Sequence, residues 1–273
     1  SFATGARLGW AIESNWTDPL LFAIYSLARP LGAALVLVAI VWLVAGPQAS
    51  GYLGFLVVGS ACWTFVAGGM AGFVWAILDD RERYRMLKYV VLSPVRFLPF
   101  LVGRAMAQLG AASAGFLVTI GIGVAFLGVE IDLGRVDWPL FVAAMTVGLA
   151  AVVALGLGVA GLCLTIRREA WSYPEAIAGG LYLLSGAIFP IDVLPSALQL
   201  MALATPLTWW LEGVRRALLG TPTPEILAGL SDATVMAALC LTTGVLTLGS
   251  WAVYRTFERV ARERGLIDQT TGS

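Results

Sequence analysis

Two stretches of this 273-residue chain gather ionisable and helix-breaking residues at spacings that could do work. The first is Asp79-Asp80-Arg81-Glu82-Arg83-Tyr84-Arg85-Met86-Leu87-Lys88, followed by Tyr89-Val90-Val91-Leu92-Ser93-Pro94. Written as one helix over 79–92, it places Tyr84, Leu87 and Val91 on one side at spacings of three and four, with the charges around the rest. Arg81 and Arg85 would repel across a turn, while Glu82 can reach Arg83 or Arg85. Pro94 ends the helix, because proline disfavours the helical state of the residue before it. A short helix with many hydrogen-bond donors and a one-turn apolar contact is a suitable surface for docking a soluble partner. The same residues also fit a basic loop that only fixes membrane orientation.

The second stretch runs from Leu181 through Ser185-Gly186-Ala187-Ile188-Phe189-Pro190-Ile191-Asp192-Val193-Leu194-Pro195 to Pro206 and Gly220. Pro190, Pro195 and Pro206 interrupt the helical register, and the pieces between them are too short to cross roughly 30 Å of hydrocarbon at about 1.5 Å per residue. Broken helices at membrane depth persist only where protein or a water-filled cavity covers them. The expectation is two short helices that dip into, or lie on, the outer leaflet. Glu212 lies one turn from Arg215 and Arg216 and can pair with either. A surface helix anchored by Trp209 and Trp210, with its charges solvated, fits the same residues.

Covalent chemistry is poorly supplied. The chain has no histidine, which removes Ser-His and Cys-His catalysis, His-ligated zinc and histidine proton relays. Cys62, Cys163 and Cys240 lie far apart inside apolar runs and read as small buried hydrophobes. Glu175 and Glu212 are the candidate intramembrane carboxylates, and they fall near opposite membrane faces. An intramembrane enzyme would want a pair.

The elements that must position these stretches follow from composition. The chain is 59% hydrophobic and 12% charged, with a mean hydropathy of +0.86. Soluble domains are less apolar and about twice as charged. Net charge is zero, so no electrostatic case exists for nucleic acid. The fold class is all-α integral membrane, in a single domain over 1–273. Expected are an interfacial helix at 1–27, spans at 28–46, 51–78, 95–129, 137–166, 171–190 and 231–257, and a cytoplasmic helix at 79–93. Re-entrant helices at 191–220 and a cytoplasmic tail at 258–273 complete the reading. The N-terminal stretch does not read as a secretory signal, since Glu13 and Asp18 interrupt it before any apolar core. With six spans, fourteen of the seventeen basic residues fall on the side of the 79–93 helix, leaving Arg135, Arg215 and Arg216 opposite. The positive-inside rule makes the richer side cytoplasmic, with both termini there. Gly68 and Gly72 form a G-x-x-x-G that permits close helix contact, either within the chain or with a second copy. Gln108, Ser113, Thr119, Thr146, Ser185 and Thr205 are uncharged polar groups that line a path or bond to neighbouring backbone.

The pattern S-G-x-I-F-P-I-x-x-L-P over Ser185–Pro195, followed by P-L-T-x-x-x-E-G-x-R-x-x-L-x-G over Pro206–Gly220, resembles the signature of the ABC-2 type transporter permeases, or type V exporters. The block Asp80–Lys88 ending in Leu92-Ser93-Pro94 resembles that family's coupling helix, with Arg83 and Tyr84 where a small residue and a threonine are usual. The order of elements is similar along nearly the whole chain. The resemblance implies ATPase-coupling roles for Glu82, Arg83, Arg85, Leu87, Lys88 and Pro94. It implies re-entrant or gating roles for Ser185, Gly186, Phe189, Pro190, Pro195, Pro206, Glu212 and Arg215. It further implies a permease dimer, homomeric or heteromeric, in a prokaryotic inner membrane, embedded in lipid. The motor would be an ABC ATPase subunit in trans that holds ATP and Mg. This chain would bind no cofactor, and its sequence contains no G-x-x-x-x-G-K-[ST] loop. The wording of the proline segment is closer to drug and small-lipid exporters than to polysaccharide or lipid-linked glycan exporters. A secondary transporter would want mid-membrane ionisable groups and internal repeats, neither of which is visible in the sequence. A non-transporting scaffold is opposed only by the charged block and the prolines.

Overall fold

A computed structural model describes residues 1–15, 50–94, 96–166, 172–220 and 225–266, together with the helical positions 32, 35, 36 and 39. The expected span at 28–46 and the second half of the 1–27 helix otherwise lie outside the described residues. Among the described residues every regular element is helical.

Among the described residues four helices are long and apolar enough to cross a membrane. Helix α1 covers Phe2–Asn15 and α2 covers Ser50–Leu78. The short α3 is Leu87–Leu92, and the long α4 and α5 are Phe97–Leu127 and Trp138–Thr165. Three further helices, α6 (Ser172–Leu184), α7 (Ser196–Ala204) and α8 (Pro206–Leu219), form the proline-punctuated segment. A single turn, α9 (Glu225–Ala228), precedes α10 (Asp232–Glu263). The four long helices are α2, α4, α5 and α10. Of these, α2 is the most buried and α10 the least. Helix α5 starts well: Asp137 accepts from Leu140 N–H at 3.0 Å, and Pro139 occupies the first turn, where no N–H partner is needed.

Three boundaries differ from the sequence reading. The expected span at 171–190 has a described helix of only 13 residues, which rises about 20 Å and is short of the roughly 30 Å hydrocarbon. It ends at Leu184 because the chain turns through Gly186, whose φ of +74° is open to glycine and costly for other residues. Helix α10 passes 257 and continues to Glu263, so the expected tail at 258–273 begins as helix. The Glu258–Arg262 pair, 2.7 Å apart across one turn, supports that extension. Finally, the expected helix at 79–93 is two pieces. Asp79–Arg83 is a π-helical turn continuing α2, the chain bends at Tyr84–Met86, and only Leu87–Leu92 is a separate helix.

Glycine sets the depth of packing. A side chain on Gly69 or Gly72 would sit 2.3 Å from Val152 or 2.7 Å from Gln108, so Gly68 and its neighbours seat α2 against α4 and α5 within the chain. Gly156 receives Phe73, Gly148 receives the Trp210 indole, and Gly161 lies against the backbone of Tyr254. Helix α1 uses the same device. Gly5 and Gly9 meet the backbone of α4 near Phe100 and Arg104, and Gly103 meets that of Phe2. Helix α1 is thus clamped to α4 by backbone-to-backbone approach.

Candidate functional sites at the two ends of the bundle

The two stretches singled out in the sequence occupy opposite ends. One core cluster joins the end of α2, α3, the start of α4 and the ends of α5 and α10, through Ile77, Leu87, Phe97, Leu164, Ala261 and Leu266. At the other end Leu53, Phe55 and Leu56 meet Val129, Ile188 and Leu219, and Asp137 N–H donates to the Ala217 carbonyl at 3.1 Å.

At the charged end the block divides into buried and exposed halves. Asp80 is buried and its Oδ1 accepts from Arg104 Nη2 of α4 at 3.0 Å, an ion pair with both partners inside the fold. Gln108, one turn along α4, donates to Glu13 of α1 at 2.7 Å. Burial is the largest influence on the Glu13 carboxyl and raises its pKa; Arg104 opposes the shift. Arg81 is buried too. Its Nη1 lies 3.4 Å from the carbonyls of Cys163 and Ile166, where α5 ends, and its Nη2 meets Glu82 at 3.0 Å. A cation at the last carbonyls complements the helix dipole. Glu82 therefore takes Arg81 as its partner, in place of Arg83 or Arg85, because the π-turn rotates Arg81 under α5. Past Arg83 the chain reverses at Arg85, whose φ of +50° is uncommon for a residue with a side chain. Arg83, Tyr84, Arg85, Tyr89, Leu92 and Pro94 are exposed, with Leu92 at 82%. Arg83 and Lys88 lie over the rings of Tyr84 and Tyr89 at 5.6 and 5.5 Å. Ser93 is extended, as a residue before proline prefers. Leu87, expected on the docking face, is 2% exposed and belongs to the core cluster.

At the proline end nearly all of α8 is buried, which removes the solvated surface-helix alternative. Helix α8 lies against α2, α5 and α10. Trp210 fills the groove at Gly148. Trp209 donates through Nε1 to the Leu203 carbonyl at 2.8 Å, while Thr208 and Thr205 donate to that of Ala202. These carbonyls lie at the end of α7, and that of Ala202 has no i+4 backbone donor because Pro206 has no N–H. Arg215 and Arg216, adjacent in sequence, point apart. Arg216 pairs with Glu212 at 2.7 Å and Asp232 of α10 at 3.0 Å, and also donates to the carbonyls of Leu227 and Leu230. Arg215 is buried with its guanidinium carbon 3.4 Å from the Phe55 ring centroid, and its Nη2 donates to the carbonyls of Gly186 and Ala187 at 2.8 and 3.1 Å. The Tyr52 hydroxyl donates to the next carbonyl, that of Ile188. Three consecutive carbonyls released where α6 ends are thus satisfied from α8 and α2. Left unpaired inside the protein, such carbonyls would cost about 1–3 kcal/mol each.

A chain with this architecture, an apolar bundle carrying a charged turn at one end and a buried broken-helix module at the other, matches the ABC-2 type transporter family model over residues 8–219. It belongs to the ABC-2 type transporter family. The matched range includes both sites and three of the four long helices. Curated relatives are each named Nodulation protein J. The chain is 24% identical to that of Rhizobium meliloti (strain 1021) over 78% of this chain and 75% of the relative. It is 25% identical to that of Rhizobium leguminosarum bv. viciae over 87% and 81%. For Rhizobium leguminosarum bv. trifolii the identity is 27% over 64% and 65%.

As an ABC-2 type transporter component, the chain is a multi-pass membrane protein and not itself a catalyst. The structure brings Arg215 against the Gly186 turn, and Ser185, Pro206 and Glu212 are each buried. Phe189 and Pro190 follow the Gly186 turn, and Pro195 starts α7. Sequence reasoning missed Asp80, Arg104, Tyr52 and Phe55 as partners, and it left open which of Arg215 and Arg216 pairs with Glu212. The available signal was an ionisable residue inside an apolar run, which Arg104 is. Four of the six polar residues singled out behave as ordinary spanning residues: Ser113, Thr119, Thr146 and Thr205 donate to carbonyls three or four residues back. Leu87→Ala is expected to cost about 2–5 kcal/mol as a core truncation. It should lower the thermal midpoint of the detergent-solubilised protein. An unchanged midpoint with altered ATPase stimulation would return Leu87 to the docking face.

Proposed function

We propose that this chain is the permease subunit of an ATP-driven exporter, with the ATPase in a separate chain and a second permease completing the path. The observation that carries the reading is the division of the 79–94 block. Its Asp80 and Arg81 are tied into α4 and α5, while Tyr84, Arg85, Tyr89 and Leu92 stand outward. A surface joined in this way passes a push from a soluble motor directly into two spanning helices. Family membership supports the same assignment, and the basic residues around this end support its placement in the cytoplasm. ATP and Mg belong to the partner. The residues of this chain contribute position: the exposed turn receives the motor, and the α6–α8 module forms the opposite closure.

The cargo fits an amphipathic, drug-like or lipid-like molecule. Supporting this, the hydroxyls of the long helices are largely engaged with their own backbone, which leaves an apolar surface for a path. The test is a tagged pull-down from solubilised native membrane. A phosphate-loop ATPase is expected to accompany the chain, and its hydrolysis should respond to Leu92→Asp or Tyr89→Ala. Recovery of the chain without any nucleotide-binding partner would overturn the assignment. Stimulation of that ATPase by amphipathic cargo in proteoliposomes, and not by hydrophilic glycans, is the expected result for the cargo class.

A further inference from the structure

Helix α10 carries a surface that neither the coupling end nor the proline end uses. Its buried residues, Val235, Leu239, Thr243, Ser250, Tyr254 and Ala261, form one seam, directed at α5 and α8. On the opposite side Leu241, Val245, Leu248 and Ala252 recur at spacings of three and four and are exposed. At 100° per residue, Arg255 and Arg259 continue the same row, and both are exposed. From Leu241 to Trp251 the stripe rises about 15 Å, half of a roughly 30 Å hydrocarbon layer, which is the depth of one leaflet. Trp251, half exposed, stands at the change from apolar to basic, and Arg255 lies 5.3 Å from its ring centroid. Tryptophan favours the headgroup level.

The charged groups near the row are accounted for. Glu258 is engaged by Arg262 at 2.7 Å, and Glu263 lies one turn beyond Arg259, farther from the membrane. The row therefore presents two arginines immediately above one leaflet's depth of apolar side chain.

We propose that this face of α10 binds an anionic phospholipid, its phosphate held by Arg255 and Arg259 and an acyl chain lying along Leu248, Val245 and Leu241. The occupant is lipid, and not a second copy of the chain, because the arginines would meet their own kind across a symmetric contact while a phosphodiester complements them. The planar guanidinium suits a phosphate with two N–H donors. The Trp251 ring holds Arg255 at headgroup height and reduces the ordering needed on binding.

The test uses the full chain in its native complex, reconstituted with spin-labelled phosphatidylglycerol or spin-labelled phosphatidylcholine. The motionally restricted lipid fraction is measured by electron paramagnetic resonance. A preference for phosphatidylglycerol is expected in the unaltered protein. It should fall by about fivefold per arginine removed in Arg255→Gln and Arg259→Gln. Arg135→Gln, at the opposite end, should leave it unchanged. Equal association of both lipids, or a preference insensitive to the two arginines, would overturn the proposal. A second readout covers the competing occupant. In a Cys240→Ser background, Val245→Cys is expected to remain monomeric on oxidation. A cross-linked pair of chains would assign the stripe to a protein interface and sink the lipid site. Neither readout depends on ATPase coupling or cargo, so failure here is distinguishable from failure of the transporter assignment.

Discussion

Arg215→Ala is expected to release the turn between α6 and α7 and to lower stability by about 4–8 kcal/mol. The figure follows from two buried carbonyls left without a donor, each about 1–3 kcal/mol, and a lost buried cation–π contact of about 2 kcal/mol. Both carbonyls, of Gly186 and Ala187, take their hydrogen bonds from one nitrogen of this side chain, and the guanidinium carbon lies 3.4 Å from the Phe55 ring centroid. Arg215→Lys should fall between, because an ammonium can keep a carbonyl bond but cannot stack as a plane. Two measurements check this. The thermal midpoint of the purified protein should fall in the order Arg, Lys, Ala. In a Cys240→Ser background, a cysteine placed at Ile188 should react faster with a membrane-impermeant maleimide when Arg215 is absent. Gly59→Ala provides an independent route to the same turn. A methyl there would sit 2.1 Å from the Ala187 carbonyl oxygen and 2.6 Å from the Arg215 Nη2, and neither can retreat without breaking the lock. If Arg215→Ala leaves both midpoint and labelling rate unchanged, the guanidinium does not hold the turn.

The second large effect belongs to Asp80 and Arg104. Each single replacement by alanine leaves the other charge buried and unpaired, and is expected to cost about 3–5 kcal/mol. The pair itself contributes much less, since desolvation of both ions offsets most of their attraction. Hence the double change Asp80→Leu with Arg104→Met is expected to recover most of the midpoint lost in either single variant. Double-mutant unfolding in one detergent measures this directly, and strict additivity of the two losses would show that the pair is not a unit. The same double variant separates structure from coupling. If the ion pair passes motion from the 79–94 turn into α4, the restored protein should fold and bind its ATPase while transport stays impaired. Full transport in the double variant would reduce the pair to a structural one.

The sequence alone carried a good part of this. Hydropathy runs located the four long helices to within a few residues at most ends. A prolonged apolar stretch has few ways to satisfy its backbone except as helix. Pro190, Pro195 and Pro206 marked real interruptions, since a missing N–H breaks a helix wherever it falls. The charged block and the proline segment were legible as the places where charges and helix breaks concentrate, and their motifs resemble a family to which the chain belongs.

Partner choice was not legible. Glu212 lies within one turn of both Arg215 and Arg216, and local geometry permits either pair. Only the rotation of α8 between α2 and α10 sends Arg216 to Glu212 and Asp232 and Arg215 to Phe55. Leu87 and Tyr84 share a helical face on paper. The π-turn and the left-handed Arg85 separate them, so that one is core and the other surface. Asp80 and Arg104 stand 24 residues apart, and nothing local joins them. Composition and periodicity determine which segments form helices and where those helices break, because these depend on neighbours along the chain. Which side chains meet depends on how the helices rotate and approach, which is set by glycine contacts such as Gly148 with Trp210 and Gly103 with Phe2. Those distances exist only after packing, so the tertiary structure alone decided the buried pairs on which both ends of the molecule rest.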